Sequence, residues 1–200
     1  QAADALGAAL PASAGALLAA HRSADGGFGM EPGAAQGSLF WTFLAVLCLE
    51  RLGSSPPPAL AEFLERRRTP AGGFREGPAA APATTNASAA GLFLAARLGS
   101  GPEDPCGAFL GAMQGPEGGV RAGPAAPIAD LLSSFTALAA LERAGQGTRL
   151  ERAGLARFVD ALALPGGGFA ALPGDREGDV EYTFYGLSCQ AILAGEGAPA

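Results

Sequence analysis

Asp179 and Glu181 stand two residues apart, directly before Tyr182-Thr183-Phe184-Tyr185. Two carboxylates so spaced could bind a divalent metal, a cationic group or a peptide, or supply an acid and a base. Oxygen-only ligation suits Mg²⁺ or Ca²⁺ better than Zn²⁺. The plainer reading makes Asp179 a helix N-cap and Glu181 a first-turn residue that gains from the helix dipole. A capping-box glutamate would stand at the third helical position. That position is Tyr182, and Glu181 is at the second. Asp130, before "LLSSF", is another candidate acid and also falls at an N-cap. His21 is the only histidine, so no Ser-His-Asp or Cys-His arrangement is expected. No phosphate-binding or dinucleotide glycine loop is found, because the Gly-Gly turns follow helical segments, not strands.

These residues belong to a repeated element. Glycine pairs recur in "DGGFG", "AGGFR", "EGGVR" and "GGGFA", with apolar markers Phe28, Phe74, Val120 and Phe169. The steps are 46, 46 and 49 residues. Fourteen residues after each marker lies a hydroxyl: Thr42, Ser88, Ser134 and Thr183. Four residues before each hydroxyl stands an N-cap type: Ser38, Thr84, Asp130 and Asp179. An Ala/Leu-rich stretch follows each cap. Gly53, Gly99, Gly145 and Gly195 stand where a C-terminal glycine would end it. The pattern predicts four inner helices of about 15 residues, each roughly 22 Å long. Outer helices are expected over 58–68, 105–114 and 149–164, with a fourth in the alanine-rich N-terminal segment, which holds a proline. The inner helices are apolar nearly all round, which implies burial on all sides or an apolar cavity beside them.

Composition narrows the function. The chain has 200 residues, 48 % of them hydrophobic, which is enough for one domain with a sizeable core. All 13 basic residues are arginine and the net charge is −6, so a nucleic-acid-binding surface is not expected. The basic cluster Glu65 to Arg68 reads as a solvated helix end. No apolar run is long enough to span a membrane. Cys48, Cys106 and Cys189 are odd in number and lack C-x-x-C spacing, which suits a reduced, cytoplasmic protein. Cys48 and Cys189 are equivalent inner-helix positions and are expected to be buried, unreactive thiols.

A helical repeat of this length, with a Gly-Gly-Phe turn before an inner helix, resembles the α/α toroid repeat of prenyltransferase β subunits and squalene/terpenoid cyclases. "GGFG" at Gly26 to Gly29 and "AMQGPEGGV" at Ala112 to Val120 are similar to that family's glutamine–glycine–aromatic turn. "DVEYTFYGL" is similar to the start of an inner helix in a prenyltransferase β subunit. The resemblance covers essentially the whole chain. It implies an all-α array of four helix pairs in one domain, with repeats at roughly 1–53, 54–99, 100–145 and 146–195 and a tail at 196–200. Such an array is an open arc or a small barrel. Complete examples resemble five to seven units, so a homo-oligomer or a partner chain is expected to complete this one.

The resemblance also implies an apolar cavity lined by inner helices and holding an isoprenoid chain. Phe40, Trp41, Phe135, Tyr182, Phe184 and Tyr185 are the lining candidates, and core packing is the plainer role for them. The family's zinc pair, Asp-x-Cys, would fall on Asp179 and Glu181. Only the aspartate matches, and His21 is not placed as the third ligand. No metal or other cofactor is therefore expected, zinc least of all. The Asp-x-Asp-Asp acid motif of cyclases is absent as well. Two functions follow. One is a prenyltransferase-like or cyclase-like enzyme with Asp179 and Glu181 as its catalytic pair. The other is a non-catalytic scaffold that binds a lipid or peptide. A third reading makes the chain a fragment of a longer toroid enzyme. The non-Met start permits it, while the trailing "GEGAPA" reads as a natural tail.

Overall fold

The computed structural model describes residues 11, 13–78, 81–99 and 105–195. Eight α-helices occur among them: α1 (Ala14–Ala20), α2 (Leu39–Arg51), α3 (Leu60–Arg67), α4 (Thr85–Arg97), α5 (Pro105–Ala112), α6 (Leu131–Arg143), α7 (Arg152–Ala161) and α8 (Val180–Ala194). The odd-numbered helices are the outer members of each pair and the even-numbered ones the inner members. The expected array of helix pairs is present, and α1 begins beyond the proline at position 11. The first ten residues of the expected N-terminal helix, and the tail, lie outside the described residues.

The repeat register is enforced by hydrogen bonds. Ser38, Thr84, Asp130 and Asp179 have extended backbones, and each side chain accepts the amide three residues on, from Trp41, Ala87, Ser133 and Tyr182. Each cap satisfies a first-turn donor that has no partner within the helix. Gly53, Gly99, Gly145 and Gly195 all have positive φ, which a side chain would disfavour, and they end the four inner helices.

A small β-element precedes each inner helix, which the sequence pattern did not suggest. The residue six before each marker pairs with it: Arg22 with Phe28, Arg68 with Phe74, Gln114 with Val120, Ala163 with Phe169. In the third repeat the arm beyond the turn forms a two-stranded antiparallel sheet, β1 (Val120–Arg121) on β2 (Ala129–Asp130). The constant spacing from bridge to marker places the three extra residues of the last repeat upstream of the bridge. There α7 is longer than α3 and α5, and a 3-10 turn at Gly147–Arg149 leads into it.

The inner-helix hydroxyls hold the turns. Thr42 Oγ1, Ser88 Oγ and Ser134 Oγ each accept the amide of their own marker, Phe28, Phe74 and Val120, at 2.9 Å. All three hydroxyl residues are fully buried. A further bond ties each of the first three repeats to the next. The first helical amides of α2, α4 and α6, on Leu39, Thr85 and Leu131, donate to the carbonyls of Glu76, Ala122 and Ala171. Each of those carbonyls lies two residues beyond the next repeat's marker.

Two compact parts are distinguishable: the chain up to Arg67 with Glu76–Ala81, and Arg68–Arg75 with the chain from Pro82 on. In the first, Phe28, Leu39, Val46, Leu60 and Phe63 form the buried apolar set. In the second, α4 packs on α6 and α6 packs on α8. Phe74, Leu92, Leu94, Leu131, Leu138 and Leu141 are buried there.

The expectation that Glu65 to Arg68 is a solvated helix end fails at Arg67, which is only 2 % exposed. Its Nη2 bonds Asp25 Oδ2 at 2.6 Å and the Gly37 carbonyl at 2.9 Å, and its guanidinium lies over the Phe63 ring. An arginine so buried requires a partner charge. Asp25, beside the first Gly-Gly turn, supplies it. Burial alone would raise the Asp25 carboxyl. Hydrogen bonds from the Ser23 hydroxyl and the Gly37 amide, with Arg67, outweigh this and hold it below the usual carboxylate value. The expectation of a buried Cys48 also fails. Cys48 is exposed, whereas Cys189 is buried and its thiol is pushed up to about 12 by burial. Equivalent positions on α2 and α8 therefore face different surroundings.

Candidate functional site

The start of α8 and the adjoining face of α6 bring four of the six lining candidates together. Phe135 on α6 stacks on Tyr185 with centroids 4.9 Å apart and rings inclined by 22°. Phe184 approaches both edge-on, at 5.7 Å from Phe135 and 5.8 Å from Tyr185. Tyr182 meets Tyr185 edge-on at 5.8 Å. These are the preferred geometries for rings with negative faces and positive edges. Spacing explains the grouping. Tyr182 and Tyr185 are one helical turn apart, on the side of α8 that packs on α6. Phe184 touches both rings yet is 49 % exposed, so the cluster has an open apolar side.

Phe40 and Trp41 pair with each other on α2, edge-on at 5.2 Å, and both are exposed. They belong to the first compact part, and the other four belong to the second. The inner helices are therefore not buried all round, which removes the first of the two expectations drawn from their apolar character. Val180, Phe184 and Leu187 show the same for α8.

The two carboxylates differ in role. Asp179 Oδ1 accepts the Tyr182 amide at 2.8 Å, as Ser38, Thr84 and Asp130 do in their own repeats. Its position is that of a cap. Glu181 is exposed, and its Oε1 accepts the Tyr185 phenol at 2.5 Å, one turn along the same helix. A carboxylate anchored by a phenol and set beside an apolar face can orient a cation or exchange a proton. Burial first, and then the hydrogen bond to Glu181, raises the Tyr185 phenol far above its ordinary value. Burial, with the carboxylates of Asp130, Glu181, Asp179 and Asp175, raises Tyr182 too. Both phenols stay protonated at neutral pH, and that of Tyr185 donates to Glu181.

Asp130 caps α6, accepting the Ser133 amide at 2.7 Å and the Ser133 hydroxyl at 2.8 Å. Its negative charge is close enough to help raise the Tyr182 phenol, together with Glu181, Asp179 and Asp175. No group of three or more His, Cys, Asp or Glu side chains that could hold a metal occurs among the described residues. His21 Nδ1 lies 3.2 Å from the Gly29 carbonyl and braces the first turn. A shallow cleft of about 250 Å³ lies at the other end of α6, bordered by Glu142, Gly145, Gly147, Thr148 and Arg152. No helix among the described residues is long and apolar enough to cross a membrane.

The repeat architecture has known counterparts. The family model described as "prenyltransferase alpha-alpha toroid domain" matches residues 11–77 and 38–198. The chain belongs to that family. Its fold is similar to a solved structure of Candida albicans protein geranylgeranyltransferase-I complexed with GGPP, with a TM-score of 0.78 and 16 % identity. The match covers 90 % of this chain and 59 % of that one, so this chain spans less than two thirds of its neighbour's length. No curated protein matches it. Family membership agrees with the fold expected from the Gly-Gly-aromatic repeats, and at this identity the structural likeness is one of fold.

Proposed function

We propose that this toroid-family chain binds an isoprenoid or another apolar ligand on the aromatic face formed by α6 and α8, with Glu181 at its edge. The observation that carries this reading is the Phe135–Tyr185 stack with Phe184 half open beside it. Exposed aromatic surface is costly to leave in water, and a hydrocarbon chain laid on it gains about 25 cal/mol per Å² buried. Phe40 and Trp41 are a separate exposed aromatic pair on α2. The acids around Tyr182 oppose a diphosphate at this spot and favour a ligand held by its hydrocarbon part, or one that carries positive charge.

Asp179 and Glu181 are the pair through which any catalysis would run. Asp179 fixes the start of α8. Glu181 is the group free to face substrate through Oε2, as its Oε1 is occupied by Tyr185. The reading is prenyltransferase-like or cyclase-like in ligand class, without zinc-thiolate chemistry. It also expects further helix pairs against the fourth repeat, from a second copy or another chain, and a soluble, cytoplasmic setting.

Calorimetric titration with geranylgeraniol and with its diphosphate tests the ligand. The expected result is that the alcohol binds at least as tightly as the diphosphate. Phe135→Ala should weaken binding about tenfold, the equivalent of roughly 1.4 kcal/mol. A marked preference for the diphosphate, or no binding of either, would overturn the reading. A second function, non-catalytic binding, is favoured by Glu181 standing where the family keeps a zinc-binding cysteine. It predicts that Glu181→Gln leaves ligand affinity unchanged and that no product forms.

A further inference from the structure

Most uncharged polar side chains on α4 and α6 are committed to the fold. The Thr85 hydroxyl donates to the Arg121 carbonyl. Ser88 and Ser134 accept the marker amides of Phe74 and Val120. Ser133 donates to the cap carboxylate of Asp130. Asn86 and Thr136 remain, and they bond each other across the two helices, with Thr136 Oγ1 2.9 Å from Asn86 Oδ1. Asn86 is exposed and Thr136 partly so. A hydrogen bond in contact with water adds little to stability, because water would serve either group as well. The fold therefore does not account for this pair.

The pair repeats a pattern found on α8. Asn86 stands two residues before the hydroxyl of its repeat, Ser88, and Thr136 two after its own, Ser134. Glu181 and Tyr185 stand two before and two after Thr183, and they also bond each other. Both bonds thus join the same two columns of the repeat. Residues four apart lie one turn apart on one helix face. On α4 and α6 these columns are completed by Ala90 and Leu132, and none of the six residues is buried. Phe135, next to Thr136, stacks on Tyr185, so the aromatic face of α6 and α8 continues to Asn86 on α4.

The two ends of this face differ in chemistry. At α8, Glu181 can only accept, and it carries negative charge. At α4, Asn86 is neutral. Thr136 holds its Oδ1, and its Nδ2 keeps two N–H donors with no acceptor among the described residues. Ala90, one turn on, is small where α8 carries Tyr185, which leaves room beside the amide.

We infer that Asn86 determines specificity on this face, and that the ligand is a long hydrocarbon chain carrying a neutral oxygen acceptor: a hydroxyl, an ether or a carbonyl. The chain lies on Phe135 and Tyr185, and the oxygen accepts from Asn86 Nδ2. Thr136 is a positioning residue that turns the amide so that its NH2 faces the ligand. The six column residues include no cation, which a diphosphate would need. The inference rests on the proposed binding of an apolar ligand to α6 and α8, and extends that site to α4.

Calorimetric titration of the full chain with three ligands tests it: geranylgeraniol, its methyl ether, and the hydrocarbon with hydrogen in place of the hydroxyl. The ether keeps the acceptor and loses the O–H donor. Wild type should bind alcohol and ether equally and the hydrocarbon about tenfold more weakly, within reach of one neutral hydrogen bond. Asn86→Leu and Asn86→Asp should each bring all three ligands to the hydrocarbon's affinity. The position is exposed in the first turn of α4, where aspartate suits the helix dipole, so Asn86→Asp should keep the wild-type denaturation midpoint. A purely structural role for Asn86 would instead move that midpoint and leave the ligand preference intact. Thr136→Val frees the amide to turn and should cut the preference to about threefold. Equal wild-type affinities for the three ligands, an alcohol preferred over its ether, or a preference that survives Asn86→Leu would each overturn the inference. Phe135→Ala should weaken all three ligands alike. If it does so while Asn86→Leu changes nothing, only the role of Asn86 is wrong. If wild type binds none of the three, the proposed apolar site falls with it.

Discussion

The first three Gly-Gly turns and the fourth share a sequence pattern and differ in their surroundings. In the first three, a buried hydroxyl holds the marker amide, and a phenylalanine from the next outer helix fills the space a side chain would need. In the fourth, Thr183 Oγ1 donates to the Asp179 carbonyl at 2.6 Å, as Thr42 and Ser134 do to their own cap carbonyls, but it accepts no bond from the Phe169 amide among the described residues. Open space surrounds Gly166 and Gly167. The difference teaches that a toroid repeat is completed by its successor, as in other arrays whose units contact only their neighbours. It also accounts for the location of the aromatic face. The uncovered repeat is the one whose α8 leaves Phe184 and Leu187 in solvent.

Substitutions should separate covered turns from the uncovered one. The largest effect is expected at the first turn, where Asp25→Ala strands the buried Arg67 charge. Removing one partner of such a pair costs about 3–5 kcal/mol, read as a lower midpoint in chemical denaturation. The same ion pair sets a pH dependence. Asp25 has a depressed folded pKa, so its contribution is present above the ordinary carboxylate value of 3.8 and is lost as pH falls through the folded value. Asp25→Asn should flatten the acid limb of the stability curve.

A smaller contrast lies between glycines. Gly73→Ala forces a methyl against the Phe109 ring and should cost about 1–3 kcal/mol. Gly166→Ala meets nothing and should stay within about 0.5 kcal/mol. Equal losses at both would refute the distinction between the turns. Smaller again is the hydroxyl contrast. Ser88→Ala orphans the buried Phe74 amide and should cost about 1–2 kcal/mol. Thr183→Ala removes only a bond within its own helix turn and should cost roughly 0.5 kcal/mol or less.

Much of this was legible in the sequence. Ser38, Thr84, Asp130 and Asp179 act as the caps their types predicted, and the four glycines end the inner helices, because capping is local chemistry. The buried state of Arg67 was not legible. In "ERRR" only a tertiary partner, Asp25, distinguishes one arginine from its neighbours. The exposure of Cys48 escaped for a related reason. Apolar character around a helix indicates which faces could be buried, but packing decides which are. The amide bonds from Leu39, Thr85 and Leu131 to the following repeat are backbone interactions and leave no residue signature. The contrast with α8, whose first amide on Val180 has no acceptor among the described residues, makes their role visible. The grouping of Phe135 with Tyr182, Phe184 and Tyr185 followed helical spacing. The Tyr185–Glu181 bond was within reach too, since the two stand one turn apart on the same helix.

Amide hydrogen exchange at the four first-helical residues tests the account most directly. In dilute protein, Leu39, Thr85 and Leu131 should be strongly protected and Val180 should exchange close to the rate of an open amide. A Val180 amide as protected as the other three in the dilute monomer would contradict it.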